Sequence, residues 1–224
     1  SLSGGMAALD TTAKRWHEVT NSIFWQAYGL TETSPLVSVP DYKQQEFTGS
    51  VGLPAAYTEV QIRDENDHAI TELNEPGELC VRGPQVMSGY WNSEDSGLDE
   101  NNWFKTGDIA RIDETGNIFI VDRKKDMILV SGFNVYPNEV EAVVNEHPAV
   151  LECGCVGVED EKSQESVKVY IVLHEGQNVA EDDIITFCRD KLTAYKVPKH
   201  VEFIDEIPKT NVGKVLRREL KANS

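Results

Sequence analysis

Thr106-Gly107-Asp108 is followed one hairpin later by Asp122-Arg123-Lys124-Lys125-Asp126, and Pro208-Lys209-Thr210-Asn211-Val212-Gly213-Lys214 lies towards the end of the chain. A turn of the first composition puts a carboxylate at a loop tip, where it can accept two hydrogen bonds from a vicinal diol. Arg123, on the neighbouring hairpin end, could bond the same sugar, because a guanidinium presents its donors in a fixed fork. Lys214, on a Gly-containing loop, could swing a point positive charge onto a phosphate or a carboxylate. Together these parts describe a nucleotide site with a mobile lid. Singly, each has a plainer meaning: Asp108 a turn-former, Arg123 a solvated strand end, Lys214 one surface lysine of many. Their joint occurrence carries the reading.

The elements that must position them follow from the pattern. Ile109-Ala110-Arg111-Ile112 and Asn117-Ile118-Phe119-Ile120-Val121 read as strands joined by Asp113-Glu114-Thr115-Gly116, a turn with Gly where a positive φ is needed. An antiparallel pair returns to its origin, so this hairpin brings Asp108 and the Asp122-Arg123 end together. Residues 49–91 read as all-β, with Glu59–Arg63 and Gly77–Gly83 as strands. They are expected to form a small barrel or distorted sheet without chemistry of its own. Asn92–Asn102 reads as a surface loop or short helix. Upstream, Ser3-Gly4-Gly5 reads as a turn before a helix over 7–19, and Ser22–Ala27 as a strand leading into Tyr28-Gly29-Leu30-Thr31-Glu32. Tyr28 could stack on a base, Thr31 could bond a phosphate, and Glu32 could hold Mg²⁺. By the plainer reading Thr31 caps the loop and Glu32 is solvated.

Past Arg123 the pattern changes. Met127–Val130 reads as a strand, and Pro137 opens a helix with Val140, Val143 and Val144 on its buried face. Strands over 154–158 and 167–174, an amphipathic helix over 182–192, a strand over 201–204 and a helical turn over 215–220 complete a compact α+β domain of ordinary size.

The composition bounds the function. The chain of 224 residues is 40% hydrophobic and 26% charged, as soluble globular proteins are. Its net charge of −17 argues against a general nucleic-acid binder and disfavours adhesion to anionic membranes. The charge is uneven, −13 over residues 1–122 against −4 over 123–224, which suits a lid closing over polyphosphate. Drift in surface composition would explain the difference about as well. Cys153-Gly154-Cys155 is too tight for a zinc pair and reads as a buried strand, and all four cysteines read as reduced thiols of a cytosolic protein. No apolar run is long enough to span a bilayer.

The block 102–125, with Tyr28–Glu32, Ser131-Gly132-Phe133-Asn134-Val135-Tyr136-Pro137 and Pro208–Lys214 in the same order, resembles the motifs of the fatty acyl-CoA synthetases of the adenylate-forming superfamily. The resemblance runs over essentially the whole chain and is nearest to bacterial long-chain fatty-acid–CoA ligases. It implies residues 1–122 as the C-terminal part of the large AMP-binding domain and 123–224 as a mobile C-terminal lid. It implies ATP, Mg²⁺ and CoA as cofactors, a fatty acid as substrate, and acyl-AMP as intermediate. The residue roles it implies are Gly5 against adenine, Tyr28 stacked on it, Thr31 at the α-phosphate and Glu32 on the metal. Asp108 and Arg123 would hold the ribose, Lys125 would be the hinge, Gly132 would line the pantetheine channel, and Lys214 would catalyse adenylate formation. The plainer readings are an exposed strand-end charge for Lys125 and a simple turn for Gly132.

Departures from the family are also plain. The chain starts abruptly in what reads as strand and turn, and has no Ser/Thr/Gly-rich phosphate loop ending in Lys-Gly. It is therefore expected to be part of a larger enzyme and inactive alone. Aryl- or medium-chain acyl-CoA ligases share all these motifs, and a non-catalytic nucleotide-binding or interaction module would keep the fold. Intact Glu32, Asp108, Arg123 and Lys214 argue against the latter. A cytoplasmic location is expected, with room for peripheral contact at the inner face of the membrane; the oligomeric state leaves no trace in these residues.

Overall fold

Alternating apolar residues in 59–63 and 77–82 pair as expected. Val60, Ile62, Leu79 and Val81 turn to one core, and the second strand runs from Gly77 to Arg82, just before Gly83. The computed structural model describes residues 1–5, 7–8, 10–211 and 213–222. Met6, Leu9 and Val212, one position each of the expected start, first helix and lysine loop, lie outside the described residues, as do Asn223 and Ser224. The chain divides into two compact units, Ser1–Lys124 and Lys125–Ser224.

In the first unit β1 (Leu2–Ser3) pairs in parallel with β2 (Trp25–Gln26), and helix α1 (Asp10–Thr20) lies between them in sequence. The expected strand over 22–27 is thus shorter, and Tyr28 belongs to the next strand, β3 (Tyr28–Gly29). β3 pairs with β4 (Leu36–Val39), which pairs with β5 (Leu53–Pro54). A four-stranded antiparallel meander follows: β6 (Glu59–Arg63), β7 (Gly77–Arg82), β8 (Phe104–Ile112) and β9 (Ile118–Arg123). Its outer strands β6 and β9 do not pair, so of the two expected forms this is the open, distorted sheet and not a barrel. Val37, Ile62, Leu79, Val81, Ala110 and Ile118 form its core. The stretch 92–102 holds turns and no helix, because Asp95 and Asp99 accept backbone N–H groups two residues on and close Asx turns instead.

Thr106-Gly107-Asp108 is not the loop tip that its composition suggested. It lies inside β8. Glu78 faces Ile109 and Cys80 faces Lys105, so these three residues oppose Leu79 alone as a bulge. Gly107 has φ +70, which permits the bulge, and a Cβ there would meet nothing within 4 Å. The cost of a side chain is therefore backbone strain alone. Gly107→Ala is expected to lower stability by about 1–2 kcal/mol, read from the midpoint of urea unfolding. An unchanged midpoint would remove the strain argument.

In the second unit a 3-10 turn (Lys124–Asp126), begun in the first, leads to β10 (Ile128–Val130) and β11 (Phe133–Val135), which form a hairpin. Helix α2 (Pro137–Val144) starts on Pro137 at its first turn and buries Val140 and Val144, one helical turn apart; Val143 is only half-buried. The long hairpin β12 (Val150–Asp160) and β13 (Gln164–Leu173) belongs to a five-stranded sheet in which β13 also pairs with β10 and β12 lies at the edge. Helix α3 (Glu181–Arg189) opens on three acidic residues, ends three residues before the expected Leu192, and buries Ile184 and Cys188. β14 (His200–Phe203) adds in parallel to β13, and α4 (Arg217–Ala222) closes the unit. Strand alternation divides the core in two. Cys153, Cys155, Val169 and Ile171 pack with Val140 and Ile184, while Val156 and Tyr170 pack with Ile207 and Leu220. The four cysteines are buried and none is in a disulfide, and burial pushes Cys80 and Cys188 up to about 11. Mixed α+β architecture is the result. No helix among the described residues is long and apolar enough to cross a membrane.

Candidate functional site

Asp108 directly faces Arg123 across β8 and β9, so the hairpin puts carboxylate and guanidinium side by side as its sequence implied. Arg123 Nε donates to Asp108 Oδ1 at 2.9 Å, and the Tyr28 hydroxyl donates to Oδ2 at 2.5 Å. The Asp108 side chain is 6% exposed and that of Arg123 is 50% exposed. A carboxylate has about four lone-pair positions, so two remain after these bonds. Burial, reinforced by the Asp108 charge, pushes the Tyr28 hydroxyl well above its ordinary range, keeping it a neutral donor.

Thr106 and Glu78, to which the sequence reading assigned no role, hold this cluster, and Trp103 lies at the entry to its strand. Thr106 Oγ1 donates to the Leu79 carbonyl at 2.8 Å and accepts the Asp108 N–H at 3.1 Å, satisfying the bulge. Buried Glu78 accepts the Gly107 N–H at 3.2 Å on one oxygen and the Lys124 ammonium at 2.7 Å on the other. Trp103 lies against the Arg63 and Arg82 guanidinium groups, 5.5 and 4.7 Å from its ring centre, and steadies the entry to β8. The charged Glu78 inside an apolar strand was a visible signal; Thr106 stood in the Thr-Gly-Asp motif, but nothing in the spacing marked its bracing role.

Thr31 and Glu32 lie in a 3-10 turn, Thr31–Thr33, after β3. Buried Thr33 braces it, accepting the Leu30 N–H at 3.0 Å and donating to the Pro35 carbonyl at 2.7 Å. Thr31 is exposed. Glu32 is half-buried, and its Oε1 accepts the Tyr90 hydroxyl at 3.0 Å. The other Glu32 oxygen has no donor among the described residues and is open to a cation. No group of three or more acidic, His or Cys side chains converges there or elsewhere among the described residues. Glu32 could thus supply one ligand to a Mg²⁺ ion that takes its others from water and phosphate. Gly5 sits in an exposed bend at φ +91, with nothing within 4 Å of a built Cβ, and no described contact joins it to Tyr28.

The remaining expected residues belong to the turn between the units or to the second unit. Lys125 is exposed at the centre of the 124–126 turn. Gly132, at φ +85, turns β10 into β11, and nothing lies within 4 Å of a built Cβ there. Beside it Phe133 stacks on Tyr195 at 4.7 Å. Lys214 is exposed at the end of a tight loop in which the Thr210 N–H donates to the Lys214 carbonyl at 2.8 Å, and Thr210 Oγ1 accepts the Lys214 N–H at 3.1 Å. Its ammonium forms no ion pair among the described residues. Three residues on, Arg217 forks onto both Glu141 oxygens at 2.9 Å and onto Asn138 at 2.6 Å.

Known proteins resemble this chain over nearly its whole length. The long-chain-fatty-acid–CoA ligase of Escherichia coli O157:H7 is 53% identical over 224 residues, which is 99% of this chain and 39% of that protein. The ligase of the same name from Bacillus subtilis is 40% identical over 98% of this chain and 40% of its own length. The chain thus spans about two-fifths of the length of these relatives. Among solved structures, ATP-bound MatB from Rhodopseudomonas palustris superposes with a TM-score of 0.93 at 30% identity, over 99% of this chain and 44% of that one. o-Succinylbenzoate CoA synthetase (MenE) from Bacillus subtilis, in complex with its acyl-adenylate, gives 0.85 at 34% identity, over 98% of this chain and 45% of that one. The family model for AMP-binding enzymes matches residues 1–91, and that for the AMP-binding enzyme C-terminal domain matches residues 139–214. With both models matched in sequence order, the chain belongs to the AMP-binding, adenylate-forming enzymes.

Proposed function

We propose that this chain carries the ribose-binding and lid portions of an ATP-dependent long-chain fatty-acid–CoA ligase. The observation that carries this is the Tyr28–Asp108–Arg123 cluster on the Gly107 bulge: a buried carboxylate with lone pairs to spare beside a half-exposed guanidinium. The likeness to long-chain ligases from enterobacteria and Bacillus supports the choice of acyl group.

In the first step a fatty-acid carboxylate oxygen attacks the α-phosphorus of ATP, and the bond to pyrophosphate breaks. In the second the CoA sulfur attacks the acyl carbonyl carbon, and AMP leaves. The first step joins two anions, so positioning and charge stabilisation dominate it. Asp108 accepts the ribose hydroxyls with Arg123 beside it. Tyr28, its hydroxyl tied to Asp108, presents its ring to the adenine near Gly5. Thr31 bonds the α-phosphate. Lys214 spans the carboxylate and the α-phosphate where charge develops. Glu32 would hold Mg²⁺, which when bound would neutralise polyphosphate charge. For the second step residues 123–224 turn about Lys125, and Gly132, with open space around it, lets a pantetheine arm pass the backbone. A cytoplasmic site of action, with the inner membrane face as the source of fatty acid, fits such substrates.

The direct test is ATP–pyrophosphate exchange by the intact enzyme with a long-chain acid, a medium-chain acid and benzoate. Exchange with the long-chain acid should exceed the others. Preference for the medium chain would favour the second reading, which a 39% identical medium-chain acyl-CoA ligase from Rattus norvegicus, matched over 87% of this chain, keeps in view. The 224-residue chain alone lacks a Ser/Thr/Gly-rich loop for the β- and γ-phosphates. It should bind AMP weakly in calorimetry and give no exchange; brisk exchange would refute the assignment of roles.

A further inference from the structure

The two compact units meet in sequence between Lys124 and Lys125. Each neighbour of Lys125 is tied to its own unit. On the first side the Lys124 ammonium lies 2.7 Å from Glu78 Oε2, and the Glu78 side chain is only 8% exposed. On the second, Asp126 Oδ2 lies 3.5 Å from Arg217 Nη1, whose side chain is 14% exposed and already fixed by Glu141 and Asn138. Lys125, between them, is exposed and forms no ion pair among the described residues.

We propose that Glu78 and Arg217 are positioning residues that pin Lys124 and Asp126, each to its own unit, and so confine the backbone freedom between the units to Lys125. A carboxylate or guanidinium held this far from water loses much if its partner is removed, so these ties resist opening more than exposed pairs do. A hinge is a few residues that absorb the change in φ and ψ. Here the pins reduce it to one. The same pins reach the functional residues. The second oxygen of Glu78 holds the Gly107 N–H and with it the Asp108 bulge. Arg217 opens α4 three residues after Lys214. Each unit could then turn without disturbing the part of the site it carries. This catalytic consequence rests on the ligase reading above.

Trypsin reads the pinning directly, because it cuts after Lys124 and Lys125. Glu78→Gln keeps a carbonyl oxygen for the Gly107 N–H and removes only the charge that faces Lys124. In limited digestion followed by mass spectrometry, this variant should be cut after Lys124 and Lys125 roughly tenfold faster than the parent, since cleavage tracks the population of the opened state. Cleavage after Arg111, inside β8, should not change in the same digest. Arg217→Lys keeps the charge without the fork and should raise cleavage after Lys125 by a smaller factor. If Glu78→Gln does not fold, Lys124→Gln removes the same pair from its exposed side and is read after Lys125. Unchanged cleavage at the hinge, or an equal rise after Arg111, overturns the proposal. In the intact enzyme Glu78→Gln should also shift the ratio of adenylate formation to thiolysis. A selective rise at the hinge, together with no adenylate formation by the unmutated intact enzyme from any of the acids offered, would leave the pins standing and sink the ligase reading instead.

Discussion

Lys214→Ala in the intact enzyme should slow formation of acyl-adenylate about 100- to 1000-fold, the usual cost of removing one group aimed at developing charge. Thiolysis of preformed acyl-AMP should fall by no more than a few-fold. The asymmetry follows from the chemistry. The first step brings a carboxylate against a phosphate and builds negative charge between them, whereas the second starts from a neutral acyl carbonyl and expels AMP. On the proposed turning of residues 123–224, Lys214 would serve the first arrangement and be withdrawn from the second. The fold should be indifferent to the change. Lys214 is exposed, its ammonium has no ion-pair partner among the described residues, and its loop is held by backbone bonds and the Thr210 hydroxyl. Single-turnover rates for the two half-reactions, measured separately, decide it. Equal loss of both would mean that the residue supports the lid rather than the reaction, and no loss in either would remove it from the mechanism.

The second unit was legible because its signals are local. Pro137 fixes a helix start, valines one turn apart choose its buried face, and alternation in 150–173 divides the thiols from Tyr170 across a sheet. The Asp108–Arg123 pairing was legible too, since a hairpin with a Gly116 turn leaves little choice of register. What composition misread was the setting of Asp108. Thr-Gly-Asp has the residues of a turn, but Leu79 and Glu78 on the neighbouring strand recruit Thr106 and Gly107 into a ladder, and the same positive φ that would make a turn makes a bulge. A contact between positions 78 and 107 has no short-range trace. The Tyr90–Glu32 and Arg217–Glu141 bonds were hidden for the same reason, with partners 58 and 76 positions apart.

That setting determines what Asp108→Asn should do. The substitution keeps the size of the side chain and leaves an amide oxygen for Arg123, which is half-exposed and can be partly compensated by water. It removes the charge that the ribose hydroxyls would meet. Hydrogen bonds to a charged group are worth about 1.5–3 kcal/mol each, so AMP should bind roughly 10- to 100-fold more weakly. Calorimetry would show this as a loss of favourable enthalpy. The variant also has a signature independent of the ligand. Tyr28 is raised first by burial and next by the Asp108 charge, and a phenol whose folded pKa is raised adds stability below its ordinary value near 10 and loses it as the pH climbs further. The neutral amide removes the second cause and leaves the first. Stability of the variant should therefore decline less steeply above pH 10 than that of the parent, while remaining lower near neutrality, where the hydrogen bond to a carboxylate is lost. Parallel pH profiles would show that Tyr28 and Asp108 are not coupled as the geometry requires, and unchanged AMP affinity would show that the carboxylate on the bulge does not face the sugar.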